Sequence, residues 1–289
     1  MPVIEVRNLK KYFGKVRAID GVSFTVEEGE AFGFLGPNGA GKTTTIRCLM
    51  SFIKPTAGDI KIFTQDIKGN DKVRNGIGYL SGNIRLYDGW TGEDHIEYVK
   101  KLKGITQSPT DLIKKLIFNP KLKVKTLSTG NRQKLGLILA LMAKPKLLIL
   151  DEPTVGLDPL LQNTIYKILE EMKKSGTTIF VSSHNLPEVE RLCDRVGIIK
   201  DGRLAALERI EDLESKRMHQ VKIVFVEKIN KSDFALSGTE IIDEFNNTLN
   251  INVKSDINPL LQKIAQYKIK DVEISHATLE EVFLEFYRK

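Results

Sequence analysis

The chain has 289 residues, 41% of them hydrophobic, and a formal net charge of +7. That length suits one large domain plus a small one, and the composition is that of a soluble globular protein. The longest apolar run, Leu135 to Ala143, is too short to span a bilayer, and the N-terminus has no charged-then-apolar signal segment. The mild positive charge reads as a solvated lysine surface rather than a nucleic-acid or anionic-lipid site.

The two cysteines, Cys48 and Cys193, fall in predicted helices and read as reduced and structural. Val3 to Val6 starts a strand, and Val22 to Val26 alternates like a strand with one wet face. Between them Tyr12-Phe13-Gly14 offers a loop aromatic that could stack on a base or simply pack. Ala31 to Leu35 is a short buried strand, and Thr44 to Met50 a helix.

The link between them, Gly36-Pro37-Asn38-Gly39-Ala40-Gly41-Lys42-Thr43, fits the phosphate-binding pattern G-x-x-x-x-G-K-[ST]. Its glycines let the backbone turn tightly and aim N–H groups at an anion. Lys42 is placed to reach the β- and γ-phosphates, the Thr43 hydroxyl to hold Mg²⁺, and the helix N-terminus adds its dipole. A chance glycine-rich turn would not fall between a strand and a helix in this way.

Lys54 to Gly58 breaks that helix, Asp59 to Phe63 returns as a strand, and Gly76 to Leu80 is another. From about 83 to 145 the character changes to helical: Glu93 to Leu102, Asp111 to Ile117, and a helix opened by Leu127-Ser128-Thr129-Gly130-Asn131 with Leu135, Leu139 and Met142 on its buried side. The Ser128–Gly130 end is either a second anion site or an ordinary serine N-cap.

Leu147 to Leu150 is a strand covered on both faces, ending in Asp151 and Glu152 at the edge where open α/β sheets bind ligands. Asp151 suits Mg²⁺ and Glu152 suits accepting a proton from water. Gly156 to Pro159 turns into a helix, Leu160 to Lys173, and the strand Thr177 to Val181 ends in Ser182-Ser183-His184. His184 is either structural or a γ-phosphate sensor. The strand Val196 to Ile199 and the turn Asp201-Gly202 close the sheet.

Taken in this order, the phosphate loop, Leu127-Ser128-Thr129-Gly130-Asn131, Asp151-Glu152, Gly156-Leu157-Asp158 and His184 resemble the ATP-binding subunits of ABC transporters over residues 1 to 212. The resemblance implies a P-loop NTPase core of the ABC type, α/β with a mixed sheet and a helical insert. It implies ATP and Mg²⁺, held by Gly36, Pro37, Asn38, Gly39, Ala40, Gly41, Lys42, Thr43 and Thr44, with the metal at Thr43 and Asp151. It makes Phe13 the adenine-stacking aromatic (Tyr12 the alternative), Glu152 the general base and His184 the γ-phosphate contact. Ser128 and Gly130 would bind the γ-phosphate of ATP held by a second copy in a head-to-tail dimer, with Asp158 communicating across it. The implied partner is an integral membrane permease on a separate chain, so the protein would sit peripherally on the cytoplasmic face of the membrane, and no nucleic-acid partner is expected. A soluble ATPase of the same superfamily acting on ribosomes or DNA is the alternative.

Two motifs depart from the family pattern. Thr129 and Asn131 stand where Gly and Gln are commonest, and Gly82 aligns with the family's metal- and water-contacting Gln, which Asn83 could partly replace. Residues 215–289 read as a small α+β domain with strands Val221–Val226, Leu249–Val253 and Val272–Ile274, and a helix begun at Asn258-Pro259. A capping box at Thr278–Glu281 precedes Val282, Phe283 and Phe286. This region resembles the C-terminal extension of export-type subunits.

Overall fold

The computed structural model describes residues 1–215, 218–254 and 256–276. The chain divides into two units, Met1–Ile210 and Glu211–Lys289.

The first unit opens on a hairpin of two long strands, β1 (Pro2–Phe13) and β2 (Val16–Glu27). β3 (Ala31–Leu35), buried throughout, feeds α1 (Lys42–Leu49), which starts at Lys42 rather than Thr44. β4 (Ala57–Ile62) and β5 (Gln65–Asp66) return to the hairpin as a four-stranded antiparallel sheet in the order β2-β1-β4-β5. α2 (Asp71–Asn75) and β6 (Ile77–Leu80) follow, then the helical segment of α3 (Gly92–Lys103), α4 (Thr110–Lys115) and α5 (Thr129–Leu141).

The chain comes back through β7 (Leu147–Asp151), α6 (Pro159–Lys174), β8 (Thr178–Ser183), α7 (Leu186–Leu192), β9 (Arg195–Lys200) and β10 (Arg203–Arg209). These build a six-stranded sheet in the order β10-β9-β3-β8-β7-β6. It is parallel from β9 to β6, while β10 pairs antiparallel to β9. The turn at Asp201-Gly202 therefore does not close the sheet; it reverses the chain into one further edge strand, whose half-exposed pattern gave little hydrophobic signal.

The two sheets are joined by aromatic packing. Phe24 of β2 stacks on Phe32 of β3 at 5.4 Å and on Phe180 of β8 at 5.8 Å. Each such ring, fully buried, contributes about 1.5–3 kcal/mol from area alone. α5 lies tightly on β6: a Cβ added to Gly78 would stand 2.3 Å from the Ala140 carbonyl oxygen. Because α5 is enclosed on several sides, Gln133, Leu135 to Ile138, Ala140 and Leu141 are all buried, and Leu139 is only half-buried. Both cysteines are buried and free; Cys193 sits just past the end of α7, not inside a helix.

The second unit begins with the end of α8 (Ile210–Ser215), followed by β11 (His219–Phe225), β12 (Thr239–Phe245), β13 (Thr248–Val253), α9 (Asn258–Ile264) and β14 (Ile269–His276). The sheet is antiparallel in the order β12-β13-β11-β14, a split β-α-β arrangement. Period-two alternation sends Val221, Ile223, Phe225, Leu249, Ile251 and Val253 to one face, where Phe234, Leu260 and Ile264 cover them. The sequence-predicted capping box at Thr278–Glu281 and the apolar positions after it lie outside the described residues.

Candidate nucleotide-binding site

The loop from Gly36 to Gly41 leaves the C-terminal end of β3 at the centre of the parallel sheet. Two of its glycines are required by geometry. A Cβ on Gly36 would lie 2.3 Å from the Ile199 carbonyl oxygen, and Gly41 has φ +111° with the Ala18 carbonyl 2.6 Å from where its Cβ would be. Any side chain at either position would force the loop off β9 or off the hairpin.

Lys42, 6% exposed, turns back into the loop. Its ammonium donates to the Gly36 carbonyl at 2.7 Å and the Pro37 carbonyl at 3.3 Å, and pairs with Glu152 Oε1 at 3.2 Å. A buried cation so satisfied is tolerable; without those acceptors it would cost several kcal/mol. The Thr43 hydroxyl donates to Asp151 Oδ2 at 2.9 Å, and Ser182 of β8 donates to Asp151 Oδ1 at 2.5 Å. Asp151 is thus held at both oxygens, one by the phosphate loop and one by the next strand. Hydroxyl and carboxylate oxygens side by side are the hard oxygen donors that suit a cation such as Mg²⁺. Among the described residues no group of three or more His, Cys, Asp or Glu side chains could hold a metal alone.

Glu152 leaves β7 with φ +53°, a left-handed conformation that is uncommon and costly for a side-chain-bearing residue. The bend turns its carboxylate back over the loop, where His184 Nδ1 lies 2.7 Å from Oε2. The imidazole therefore donates to the carboxylate, and Lys42, Glu152 and His184 form one chain of contacts across α1, β7 and β8. Gly82 lies beside them: a Cβ there would stand 3.1 Å from Asp151 Oδ2. Asn83 is exposed, its N–H donating to Ser81 Oγ at 3.3 Å.

Phe13 ends β1 half-exposed, with the Lys11 ammonium 4.9 Å from its ring centroid. Tyr12 is occupied otherwise, its hydroxyl donating to Asp20 Oδ1 at 2.6 Å. That hydroxyl, with the Arg203 guanidinium 2.7 Å from Oδ2, holds the Asp20 carboxyl down to about 2. The hairpin is stitched to the loop from the same side: Asp20 N–H donates to the Gly202 carbonyl and Gly202 N–H to the Ala40 carbonyl.

Ser128 and Gly130 stand apart from this cluster. Ser128 caps α5 by accepting from the Asn131 N–H at 3.3 Å, and the Cβ position of Gly130 is 3.3 Å from the Gly156 carbonyl. Asp158 caps α6, accepting from Leu161 N–H at 3.0 Å. Reading the sequence missed the residues that tie these parts together. Gln133 of α5 donates to the carbonyls of Glu152 and Pro153 at 3.3 and 2.8 Å. Asp20, Arg203, Ser182, Thr154 and Glu188 likewise carry no local motif, because each has a partner distant in the chain.

The family profile described as ABC transporter matches residues 19–155. An uncharacterized ABC transporter ATP-binding protein of Bacillus subtilis (strain 168), YhcH, is 36% identical over 98% of this chain and 95% of its own length. The chain belongs to the ABC transporter ATP-binding family. Another relative from that organism, the linearmycin resistance ATP-binding protein LnrL, is 36% identical over 74% of this chain and 71% of its own. Among solved structures, an ATP binding subunit of an ABC transporter aligns at TM-score 0.68 and 28% identity, over 73% of this chain and 92% of that one. A dimeric ATP-binding cassette in a post-hydrolysis state with ADP and Pi aligns at TM-score 0.66 and 22% identity, over 72% and 98%, and shows the fold alone.

As an ABC transporter ATP-binding protein, the chain binds ATP and hydrolyses it to power a transporter whose membrane-spanning part is a separate subunit, to which it is peripheral. Among the described residues no helix is long and apolar enough to cross a membrane. The ribosome- or DNA-directed alternative is not favoured by these relatives.

Proposed function

We propose that this chain holds Mg²⁺·ATP on the Gly36–Thr44 loop, with Phe13 against adenine, and that two copies close head to tail so that Ser128 and Gly130 of one meet the γ-phosphate on the other. The carrying observation is the Lys42–Glu152–His184 chain of contacts beside the Thr43–Asp151 pair. Lys42 exchanges its two carbonyls and Glu152 for the β- and γ-phosphate oxygens. Glu152, released from Lys42, accepts the proton of the attacking water, and His184 orients it through Nδ1 and meets the γ-phosphate. Mg²⁺, held by Thr43 and Asp151, would supply neutralisation of charge developing on the phosphates. We place the protein on the cytoplasmic face of the membrane, where ATP is available, and infer outward transport from the resistance role in LnrL's name.

The dimer tests this reading. The Ser128 helix end contacts the Gly156 turn and not its own Lys42. A variant that binds ATP and cannot hydrolyse it, Glu152→Gln, is therefore expected to accumulate as a dimer in Mg²⁺ and ATP, since ATP gains its contacts to the partner copy only in the closed form and so favours that form by mass action. Adding Ser128→Arg is expected to return it to monomer while nucleotide affinity stays within about threefold, because the phosphate loop is untouched. Light scattering with nucleotide titration reads both; a double variant that dimerises as well as the single one removes Ser128 from the interface.

Gly82 makes a separate prediction about the metal. A side chain there must push on Asp151, which Thr43 and Ser182 already hold at both oxygens. Gly82→Ala is expected to raise the Mg²⁺ concentration needed for half-maximal turnover by about tenfold, the size usual when a ligand's support is disturbed. Mg²⁺ titration of the ATPase rate checks it, and an unchanged midpoint refutes it.

A further inference from the structure

Glu188 lies in α7, 1% exposed, and plays no part in the chemistry above. Its two carboxylate oxygens face two different segments, the loop after β7 and the end of β8. Thr154 Oγ1 donates to Oε1 at 3.0 Å, and Ser183 Oγ donates to Oε2 at 2.5 Å. Thr154 lies two positions after Glu152, and Ser183 immediately precedes His184. Among the described residues no cation sits within ion-pair distance of Glu188, so it serves no salt bridge.

The helix that carries it is firmly seated. A Cβ on Gly33 of β3 would stand 2.5 Å from Val189 Cγ1, so α7 packs directly on the central strand's backbone. The two segments it grips need restraint. Glu152 sits at φ +53°, and such a conformation persists only where its surroundings over-determine it. Ser183 in turn accepts from the Asn185 N–H at 2.9 Å, and its carbonyl accepts from the Gly36 N–H at 3.2 Å.

We propose that Glu188 is a positioning residue for hydrolysis: its carboxylate bridges Thr154 and Ser183 and so sets Glu152 and His184, from separate strands, at one fixed mutual distance. The inference rests on the roles given above to Glu152 and His184. A small error in that distance matters, because proton transfer to a base requires hydrogen-bond reach, and displacements of about 1 Å can cost about a hundredfold in rate.

Stability separates this role from a merely structural one. Burial raises the Glu188 carboxyl above the ordinary glutamate range. A folded-state pKa that is raised means that stability present below the unfolded value is lost as pH rises through the folded one. In its ionised form the carboxylate therefore costs the fold something that an amide would not.

The test compares the full-length chain with Glu188→Ala, Glu188→Gln and Glu152→Gln, alone and combined, by kcat, KM for ATP and melting temperature at pH 7. Glu188→Ala is expected to lower kcat by about tenfold or more with KM within about twofold, since only the placement of base and histidine changes. Glu188→Gln, whose amide can accept from one hydroxyl and donate to the other, is expected to recover kcat to within about threefold and to melt no lower than wild type. Glu188→Ala in the Glu152→Gln background is expected to cost little more, because residues acting as a unit are not additive. Wild-type kcat in Glu188→Ala, equal loss in the Ala and Gln variants, or a further tenfold loss in the double variant overturns the proposal. If Glu188→Ala does not fold, Thr154→Val and Ser183→Ala each remove one end of the bridge. Several-fold lower kcat at unchanged KM in both supports it, and wild-type kcat in both overturns it. Glu152→Gln alone judges the base: wild-type turnover there removes Glu152, while the single Glu188 variants still decide whether the bridge governs turnover.

Discussion

Glu152→Gln is expected to lower ATP turnover by about 10²–10⁴-fold, the range that a positioned general base contributes. The amide fills the same space and can still accept from His184 Nδ1, so the 2.7 Å contact has a substitute. What it cannot do is take a proton. ATP affinity is expected to be kept or raised by a few-fold, for two electrostatic reasons. A carboxylate near the triphosphate repels it, and in the free site that same carboxylate holds the Lys42 ammonium at 3.2 Å and so competes for it. Single-turnover hydrolysis with equilibrium nucleotide binding measures both quantities. Near wild-type turnover would show that another group takes the proton.

The second large effect is expected in Lys42→Ala. The Lys42 ammonium is joined to both the loop carbonyls and Glu152. Hydrogen bonds to charged groups are worth about 1.5–3 kcal/mol each, so losing contacts to two phosphates weakens ATP binding by about 10²–10⁴-fold. Turnover falls further, because charge builds on the bridging and β-phosphate oxygens of the leaving group in the transition state, and Lys42 is proposed to sit beside them. Removing Lys42 also leaves Glu152 without its cation in the free protein, which adds repulsion of nucleotide rather than offsetting the loss. Titration with a fluorescent ATP analogue checks the size; affinity within about threefold of wild type would place the phosphates elsewhere. The fold is expected to survive, since the cost of burying the ammonium disappears together with its contacts.

How much of this was legible beforehand depends on range along the chain. The phosphate loop is written in eight consecutive residues, Gly36 to Thr43, because a tight anion nest needs glycine at fixed spacing. β7 announces itself by Leu147 to Leu150, since a parallel strand is covered on both faces, and its end places Asp151 and Glu152 at the ligand edge. Ser128 as the cap of α5 and Pro159 in the first turn of α6 are equally local. In the second unit, the alternation of β11 and β13 shows which face is buried.

Other features are contacts between distant segments, and no spacing rule encodes them. β10 pairs with β9 on a half-exposed edge, where alternation is weak and the partner supplies the hydrogen bonds. Arg203 reaches Asp20, and Gln133 reaches the carbonyls of Glu152 and Pro153, only because sheet order brings those loops together. The left-handed turn at Glu152 opposes local preference, and the surrounding contacts hold it there. Gly82 beside Asp151 was visible as a missing side chain, but the 3.1 Å gap that gives the absence a consequence is tertiary. The sequence alone determined the loop and the acidic strand end that we propose meet the phosphates, through short-range backbone geometry; the tertiary structure decided the Thr154–Glu188–Ser183 bridge proposed to hold them in register, because it depends on packing between β3, β7, β8 and α7.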